Sequence, residues 1–293
     1  MRNILKRLEK RMIIKNTYFI KNFFPRKLKK SSTTRLSFKG ENTLKDMVDS
    51  SNKIFKDFNS MTSVLIKINL NSANPYPAST SREMLDVILN SLFDLGVKKI
   101  CIGDCSGLIH LPTREVIKKK GLYNLKKNGI KIKVFDYGRW VKIAINGAYF
   151  KNIILAKSIY KYDKIINLAN LKSHSEAGFS FATKSLVGFM HPCQRFELHR
   201  DHIEEKIAEL SLAVQPDINI VDARSIFVDG GPDTGTVAEA KTIIINNSLL
   251  EADLSAYNLL SSFKQKFGME DFDQNPYNSR FFKHFIKITG KKL

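Results

Sequence analysis

The chain has 293 residues, 43% of them hydrophobic, which is enough for one large domain or two small ones and argues against global disorder. Its three cysteines argue against a disulfide scaffold and favour a cytoplasmic protein. The formal net charge is +20, and residues 1–40 carry 13 lysines and arginines against one acid, Glu9. Most of the excess positive charge therefore lies in an N-terminal arm.

The arm, residues 1–41, is predicted to contain a basic amphipathic helix that ends at Pro25. Its apolar face would comprise Leu5, Leu8, Met12, Phe19 and Phe23. Three interpretations stay open: a helix docked on the body, attachment at an anionic membrane surface, and nucleic-acid binding, which is less favoured. Neither a membrane-spanning helix nor a secretory signal is expected, because no run approaches about 20 apolar residues and no small-residue cleavage site is present.

The body, residues 42–262, is predicted to be an α/β domain with a mostly parallel sheet and helices on both faces. Strands are predicted over 63–70, 97–107, 130–136, 140–146, 163–168, 217–222 and 241–246. Helices are predicted over 43–58, 80–95, 113–127, 181–189, 201–214 and 250–262, the second opened by a capping box of Thr80 and Glu83. Strands 130–136 and 140–146 are predicted to form an antiparallel edge hairpin. Residues 263–293 form a basic aromatic tail, expected to pack on the body.

Polar side chains stand at the ends of four predicted strands, where ligands bind in open α/β sheets. These side chains are Lys67 and Asn69, Asp104, Lys172 and His174, and Asp222. We expect them to share one pocket. Lys67 interrupts an apolar strand, where a lysine is costly unless it is paired. It either faces outward at an edge or pairs with Asp104, or it is functional as an anion-binding ammonium or as an amine whose pKa is lowered by burial.

The segment 167–202 concentrates basic and imidazole groups just past a strand. Lys172, His174 and Lys184, the last in an early helical turn, are suited to hold a phosphate or carboxylate. His174 would then act as a general acid or base near pH 7. A solvated basic loop is the alternative.

Metal ligation is a weaker interpretation of the same segment. The candidate ligands are His191, Cys193, His199 and His202, whose spacing matches no closed zinc pattern. Helix capping is the commoner role for such histidines. No iron–sulfur cysteine run is present, so no cofactor is assigned. A Gly-rich loop, residues 228–236, is either a cover over the pocket or an ordinary turn.

Three segments resemble the domain-of-unknown-function 362 family. They are VLIKINLNSANPYPASTSREMLDVILNSLFDLGVKKICIGDCSG, NLANLKSHSEAGFSFATKSLVGFM and PDINIVDARSIFVDGGPDTGT. The resemblance covers about residues 60–262 and implies an α/β domain, sometimes joined to a ferredoxin-like iron–sulfur module, without an agreed reaction. Its family-like positions are Lys67, Asn69, Asp104, Lys172, His174, Lys184, Gly188, Asp222, Gly231 and Pro232.

The chain departs from the family pattern at two points. Ser185 stands where the pattern has Asn, which puts that contact in doubt. The iron–sulfur cysteine run is absent, so an electron-transfer role is not carried over.

The expected function is that of an enzyme-like, anion-binding pocket acting on a small phosphorylated or carboxylated substrate. The expected catalytic residues are His174, Lys172 and Asp104. The expected substrate-binding residues are Lys67, Asn69, Lys184, Asp222 and Gly231. Two alternatives stay open: a non-catalytic peripheral module that uses the basic arm on membrane or nucleic acid, and a redox or metal-binding protein.

Overall fold

An eight-stranded sheet forms the centre of the computed structural model, which describes residues 17–19, 35–108, 111–269 and 271–290. The strands are β1 (Thr17–Phe19), β2 (Arg35–Lys39), β3 (Ser63–Lys67), β4 (Lys99–Asp104), β5 (Lys131–Val134), β6 (Trp140–Ala144), β7 (Asn152–Ala156), β8 (Lys164–His174), β9 (Gly178–Ser180), β10 (Ile218–Phe227) and β11 (Val237–Asn246). The α-helices are α1 (Thr43–Asp49), α2 (Ser51–Ile54), α3 (Arg82–Asp94), α4 (Thr113–Lys119), α5 (Ala182–Ser185), α6 (Pro192–Arg200), α7 (Ile203–Ala213), α8 (Leu249–Lys266) and α9 (Arg280–Thr289).

The large sheet has the strand order β2-β11-β10-β8-β3-β4-β5, with β9 paired to β8. Neighbours from β10 to β5 are parallel, whereas β11 and β2 add an antiparallel edge. The predicted fold class, a mostly parallel sheet with helices on both faces, is confirmed. Parallel strands align their carboxyl ends at one edge of the sheet, and this alignment positions the site described below.

Hydrophobic side chains pack on both faces of the large sheet. Along β3, Val64 and Ile66 belong to the cluster that also contains Met84 of α3, whereas Leu65 belongs to the cluster that contains Phe189. This division follows from the two-residue period of a strand. By the same period, Lys67 follows Leu65 onto the second face.

The predicted hairpin of residues 130–136 and 140–146 is wrong. Strand β5 pairs in parallel with β4, whereas β6 pairs antiparallel with β7 in a separate three-stranded sheet. The chain leaves β5 through a 3₁₀ turn, Phe135–Tyr137, in which Phe135 is fully buried. The two segments therefore belong to different sheets, and the turn between them is anchored by the buried Phe135.

The N-cap of the helix predicted from Thr80 lies one residue further along the chain, so Thr80 and Glu83 do not form the predicted capping box. Ser81 is the N-cap of α3, and its side chain accepts a hydrogen bond from the backbone N–H of Met84 at 3.1 Å. The Thr80 hydroxyl instead accepts the backbone N–H of Asn69 at 2.8 Å, which ties the loop to the end of β3.

The arm lies largely outside the described residues. Its predicted helix includes Phe19, but this residue lies in β1, which pairs in parallel with β6. Of the helices that the structure describes, none is both long enough and apolar enough to span a membrane. In the tail, α9 packs against α7 and buries Phe281, Phe282 and Phe285.

Candidate functional site

A cavity of about 450 Å³ opens at the carboxyl ends of β3, β4 and β8. Lys67 ends β3, Asp104 ends β4 and His174 ends β8. Its wall contains the predicted site residues Lys67, Asn69, Asp104, Lys172, His174 and Lys184, together with His199 of the predicted metal set. The wall also contains Arg195, Glu176, Asn71 and Asp233, which were not among the predicted site residues.

Lys67 and Asp104 form a buried ion pair with 2.8 Å between Nζ and Oδ1. The Lys67 ammonium also donates to the carbonyl oxygen of Ile68 at 2.6 Å and to the hydroxyl of Ser185 at 3.3 Å. The second carboxylate oxygen of Asp104 accepts the backbone N–H of Leu70 at 2.7 Å. Burial lowers the pKa of Lys67 and raises the pKa of Asp104, and the ion pair opposes both shifts.

Gly188 covers this ion pair at van der Waals distance. A Cβ atom at this position would lie 2.1 Å from Asp104 Oδ1 and 2.5 Å from Lys67 Cε. The family-like glycine is therefore explained by close packing. Ser185 departs from the family pattern, yet its hydroxyl keeps a contact with Lys67.

Lys172 is the most deeply buried cation that lacks a carboxylate partner among the described residues. Its side chain is 1% exposed, and Nζ donates to the carbonyl oxygen of Ala78 at 2.8 Å. Burial lowers its pKa to about 8; Asp233 opposes this shift and Lys67 reinforces it. Within the part of the chain that the structure describes, no carboxylate lies within ion-pair distance of Nζ.

Lys184 lies on α5, whose first backbone N–H groups are held by a buried carboxylate. Asp253 accepts hydrogen bonds from the N–H of Ala182 at 2.8 Å and from the N–H of Thr183 at 3.2 Å. The Lys184 ammonium itself has neither a hydrogen bond nor an ion pair within the described ranges. Burial, with Arg195 and Lys172 reinforcing it and Glu176 opposing it, lowers the pKa of Lys184 to about 8.

Arg195 supplies a third cation without a carboxylate partner among the described residues, and backbone carbonyl groups hold it in place. Its guanidinium donates to the carbonyl oxygens of Met190 at 3.1 Å, Ser106 at 2.9 Å and Gly188 at 3.2 Å. The sequence analysis did not assign Arg195 to the site, although it is one of the basic residues of segment 167–202, and it predicted no helix over 192–200. The available signal was Pro192, since proline favours the first position of a helix.

His174 presents one specific ring nitrogen to its surroundings. Its Nδ1 accepts the backbone N–H groups of Glu176 at 3.1 Å and Ala177 at 3.2 Å, so the neutral ring carries its proton on Nε2. Burial, followed by Lys184 and other nearby cations, lowers the pKa of His174 to about 2. Near neutral pH this imidazole is thus suited to donate a hydrogen bond and poorly suited to accept a proton.

Three of the four weak metal candidates, His191, His199 and His202, have local partners of their own. His199 Nδ1 pairs with Glu176 Oε2, and His191 caps α6 by accepting the backbone N–H of Cys193 at 3.2 Å. The ring of His202 stacks on that of Tyr149 at 4.6 Å. Among the described residues, no group of three or more His, Cys, Asp or Glu side chains is placed to hold a metal ion.

Asp222 and Gly231 are predicted ligand contacts that do not line the cavity. Asp222 pairs with Arg224, at 2.9 Å between Oδ2 and Nη2, and accepts the hydroxyl of Tyr76 at 2.8 Å. Gly231 has a φ of +60°, and a Cβ there would lie 2.0 Å from the carbonyl oxygen of Ser173. The next residue of this loop, Pro232, contributes to the cavity wall.

The fold and cavity define an α/β protein with a lysine-lined pocket at the strand ends. The family model described as "Domain of unknown function (DUF362)" matches residues 64–258. The chain belongs to this family, and the resemblance noted from its sequence segments is confirmed.

A crystal structure of a protein from Thermotoga maritima is similar to this chain, with a TM-score of 0.46 and 11% sequence identity. The similarity covers 78% of this chain and 60% of that protein, so the chain spans less than two thirds of its length. No curated protein matches the chain.

Proposed function

We propose that the cavity binds a small phosphorylated or carboxylated molecule and acts on it as an enzyme. The supporting observation is that Lys172, Lys184 and Arg195 line one cavity without a carboxylate partner among the described residues. Lys172 and Arg195 are buried and Lys184 is half-buried, and an unpaired buried cation is costly. A bound anion would supply the missing partner and offset that cost.

His174 would donate a hydrogen bond from Nε2 to an oxygen of the bound molecule. This role follows from its tautomer, because Nδ1 already accepts two backbone N–H groups. A neutral imidazole donor can polarise a carbonyl group or steady a developing oxyanion. Asp104 would act indirectly, by holding the Lys67 ammonium in place.

The test is calorimetric titration with inorganic phosphate and a panel of small phosphorylated and carboxylated compounds. Lys172→Met and Lys184→Met should each weaken binding of the best compound about 10- to 100-fold, since a hydrogen bond to a charged group contributes about 1.5–3 kcal/mol. The control is Lys45→Met, which removes the same charge from an exposed lysine. Equal affinity in all three variants, or no binding by the unmodified protein, would remove the proposal.

Binding should also depend on pH with a defined sign. Lys172 and Lys184 both have a pKa of about 8 in the protein, and an anion prefers their charged forms. Affinity should therefore be highest below about pH 8 and fall above it, by at most about tenfold per pH unit for each lysine. An affinity that stays constant from about pH 6.5 to 9.5 would contradict the proposed roles of both lysines.

A further inference from the structure

Lys184 differs from the other two lysines of the cavity in the state of its amine. The Lys67 ammonium is paired with Asp104, and the Lys172 ammonium donates to the carbonyl of Ala78. Lys184 Nζ has no such partner within the described ranges, and its side chain lines the cavity. When deprotonated, it has an accessible lone pair.

Burial favours that deprotonated state. It lowers the pKa of Lys184 to about 8 from an ordinary value of 10.5, with Glu176 opposing the shift and Arg195 and Lys172 reinforcing it. Backbone carbonyls hold the Arg195 guanidinium in place. Desolvation and a neighbouring cation are the two means by which proteins convert a lysine into a nucleophile.

The backbone that carries Lys184 is also fixed. Asp253 accepts the N–H groups of Ala182 and Thr183, the two residues that precede Lys184. A reacting group on an anchored segment keeps its position relative to a bound molecule.

We propose that Lys184 is a nucleophile that forms an imine with the carbonyl carbon of a small anionic 2-oxo acid or aldehyde. This inference rests on the proposed anion site, in which Arg195 and Lys172 would hold the carboxylate or phosphate. His174 Nε2–H would donate to the carbonyl oxygen during attack.

The proton balance needs one acid, and the Lys172 ammonium supplies it. The neutral Lys184 amine attacks the carbonyl carbon, a C–N bond forms, and the C=O π electrons move to oxygen, which takes a proton from Lys172. The nitrogen then returns one proton to Lys172. Lys172 next protonates the hydroxyl group, which leaves as water while the nitrogen lone pair forms the C=N bond. The products are a protonated imine, one water and neutral Lys172, which regains its proton from solvent, and no redox partner is needed.

The experiment is reductive trapping in the full chain. The protein is incubated with pyruvate or glyceraldehyde 3-phosphate, reduced with cyanoborohydride, and mapped by peptide mass spectrometry. Lys184 should be labelled at least about tenfold faster than the exposed Lys45, because a pKa lowered from 10.5 to about 8 gives about 300-fold more neutral amine at neutral pH than the ordinary pKa would. Lys184→Arg keeps a cation at this position but removes the primary amine, so it should lose the fast adduct, whereas Lys45→Arg should leave labelling of Lys184 unchanged.

Lactate and glycerol 3-phosphate have the anionic group but no ketone or aldehyde carbonyl. They therefore distinguish the proposed imine from the anion site on which it rests. If they bind to the cavity while Lys184 labels no faster than Lys45, the imine is overturned and the anion site stands. If neither these compounds nor inorganic phosphate binds, the anion site itself fails. A fast adduct at Lys184 that excess lactate or glycerol 3-phosphate suppresses would support both.

Discussion

The cavity brings together two kinds of buried charge. On the β3–β4 side, Lys67 and Asp104 neutralise each other at 2.8 Å under the cover of Gly188. On the β8–α6 side, Lys172 and Arg195 are held by carbonyl oxygens, with no carboxylate partner among the described residues. The first side is a neutral ion pair, whereas the second carries the cations to which we propose that an anion binds.

The two sides should differ in how replacement of a charged residue changes the free energy of unfolding. A buried pair is strongly destabilised when one partner is removed, because the remaining charge is left without compensation. A cation without a partner lowers stability in the native state, so its removal has the opposite tendency. Residues that stabilise the fold and residues that are proposed to bind a ligand should thus respond differently to the same substitution.

The largest effect is expected from breaking the pair. Lys67→Met leaves the Asp104 carboxylate buried without its cation, and the free energy of unfolding should fall by about 3–5 kcal/mol. Urea denaturation measures this change. The double variant Lys67→Met with Asp104→Asn should recover part of the loss. A single-variant loss below about 1 kcal/mol would show that the pair is not coupled in this way.

The buried carboxyl group of Asp253 gives a second way to measure the cost of a buried charge. Burial raises its pKa to about 7 from an ordinary 3.8, so the native state holds this proton more tightly than the unfolded chain does. Its contribution to stability is therefore present below about pH 4 and is lost as pH rises through 7. Relative to Asp253→Asn, the unmodified protein should lose about 4 kcal/mol over this window. Urea denaturation of both proteins at several pH values measures the difference, and a constant difference would contradict the shift.

Gly188→Ala tests how closely the pair is covered. The added Cβ would overlap Asp104 Oδ1, and this buried carboxylate cannot easily shift to make room. We expect a loss of about 1–3 kcal/mol in the free energy of unfolding, as for other overpacked sites. Thermal and urea unfolding would measure this loss, and a stability within error of the unmodified protein would show that the cover is loose.

The smallest effect is expected at the cation without a carboxylate partner. Lys172→Met keeps most of the side-chain volume and removes the charge, at the loss of one hydrogen bond to Ala78. Stability at pH 7 should change by less than about 1 kcal/mol or increase, because desolvation of the ammonium is no longer required. A loss as large as that of Lys67→Met would abolish the distinction between the two sides.

The sequence predicted the parallel α/β sheet because apolar strands of β-branched residues alternate with helical periods along the chain. It also predicted that Lys67, Asp104 and Lys172 stand near strand ends, since a strand boundary is a local property. It failed at residues 130–146, where two adjacent strands join different sheets. That choice depends on the strand that each segment pairs with, β4 for β5 and β7 for β6, which local patterns do not encode.

The segment 167–202 shows what each level decides. Its residue types identified a cluster of lysines and histidines. The predicted strand end before the cluster indicated that it lies where ligands bind in α/β sheets. Only the tertiary structure separated Lys172, His174 and Lys184, which line the cavity, from His191 and His202, which have local partners. The tertiary structure also added Arg195 to the cavity wall and showed that Asp222 does not line the cavity. The physical reason is that pairing and desolvation depend on which distant groups a side chain meets, and sequence spacing does not specify those neighbours.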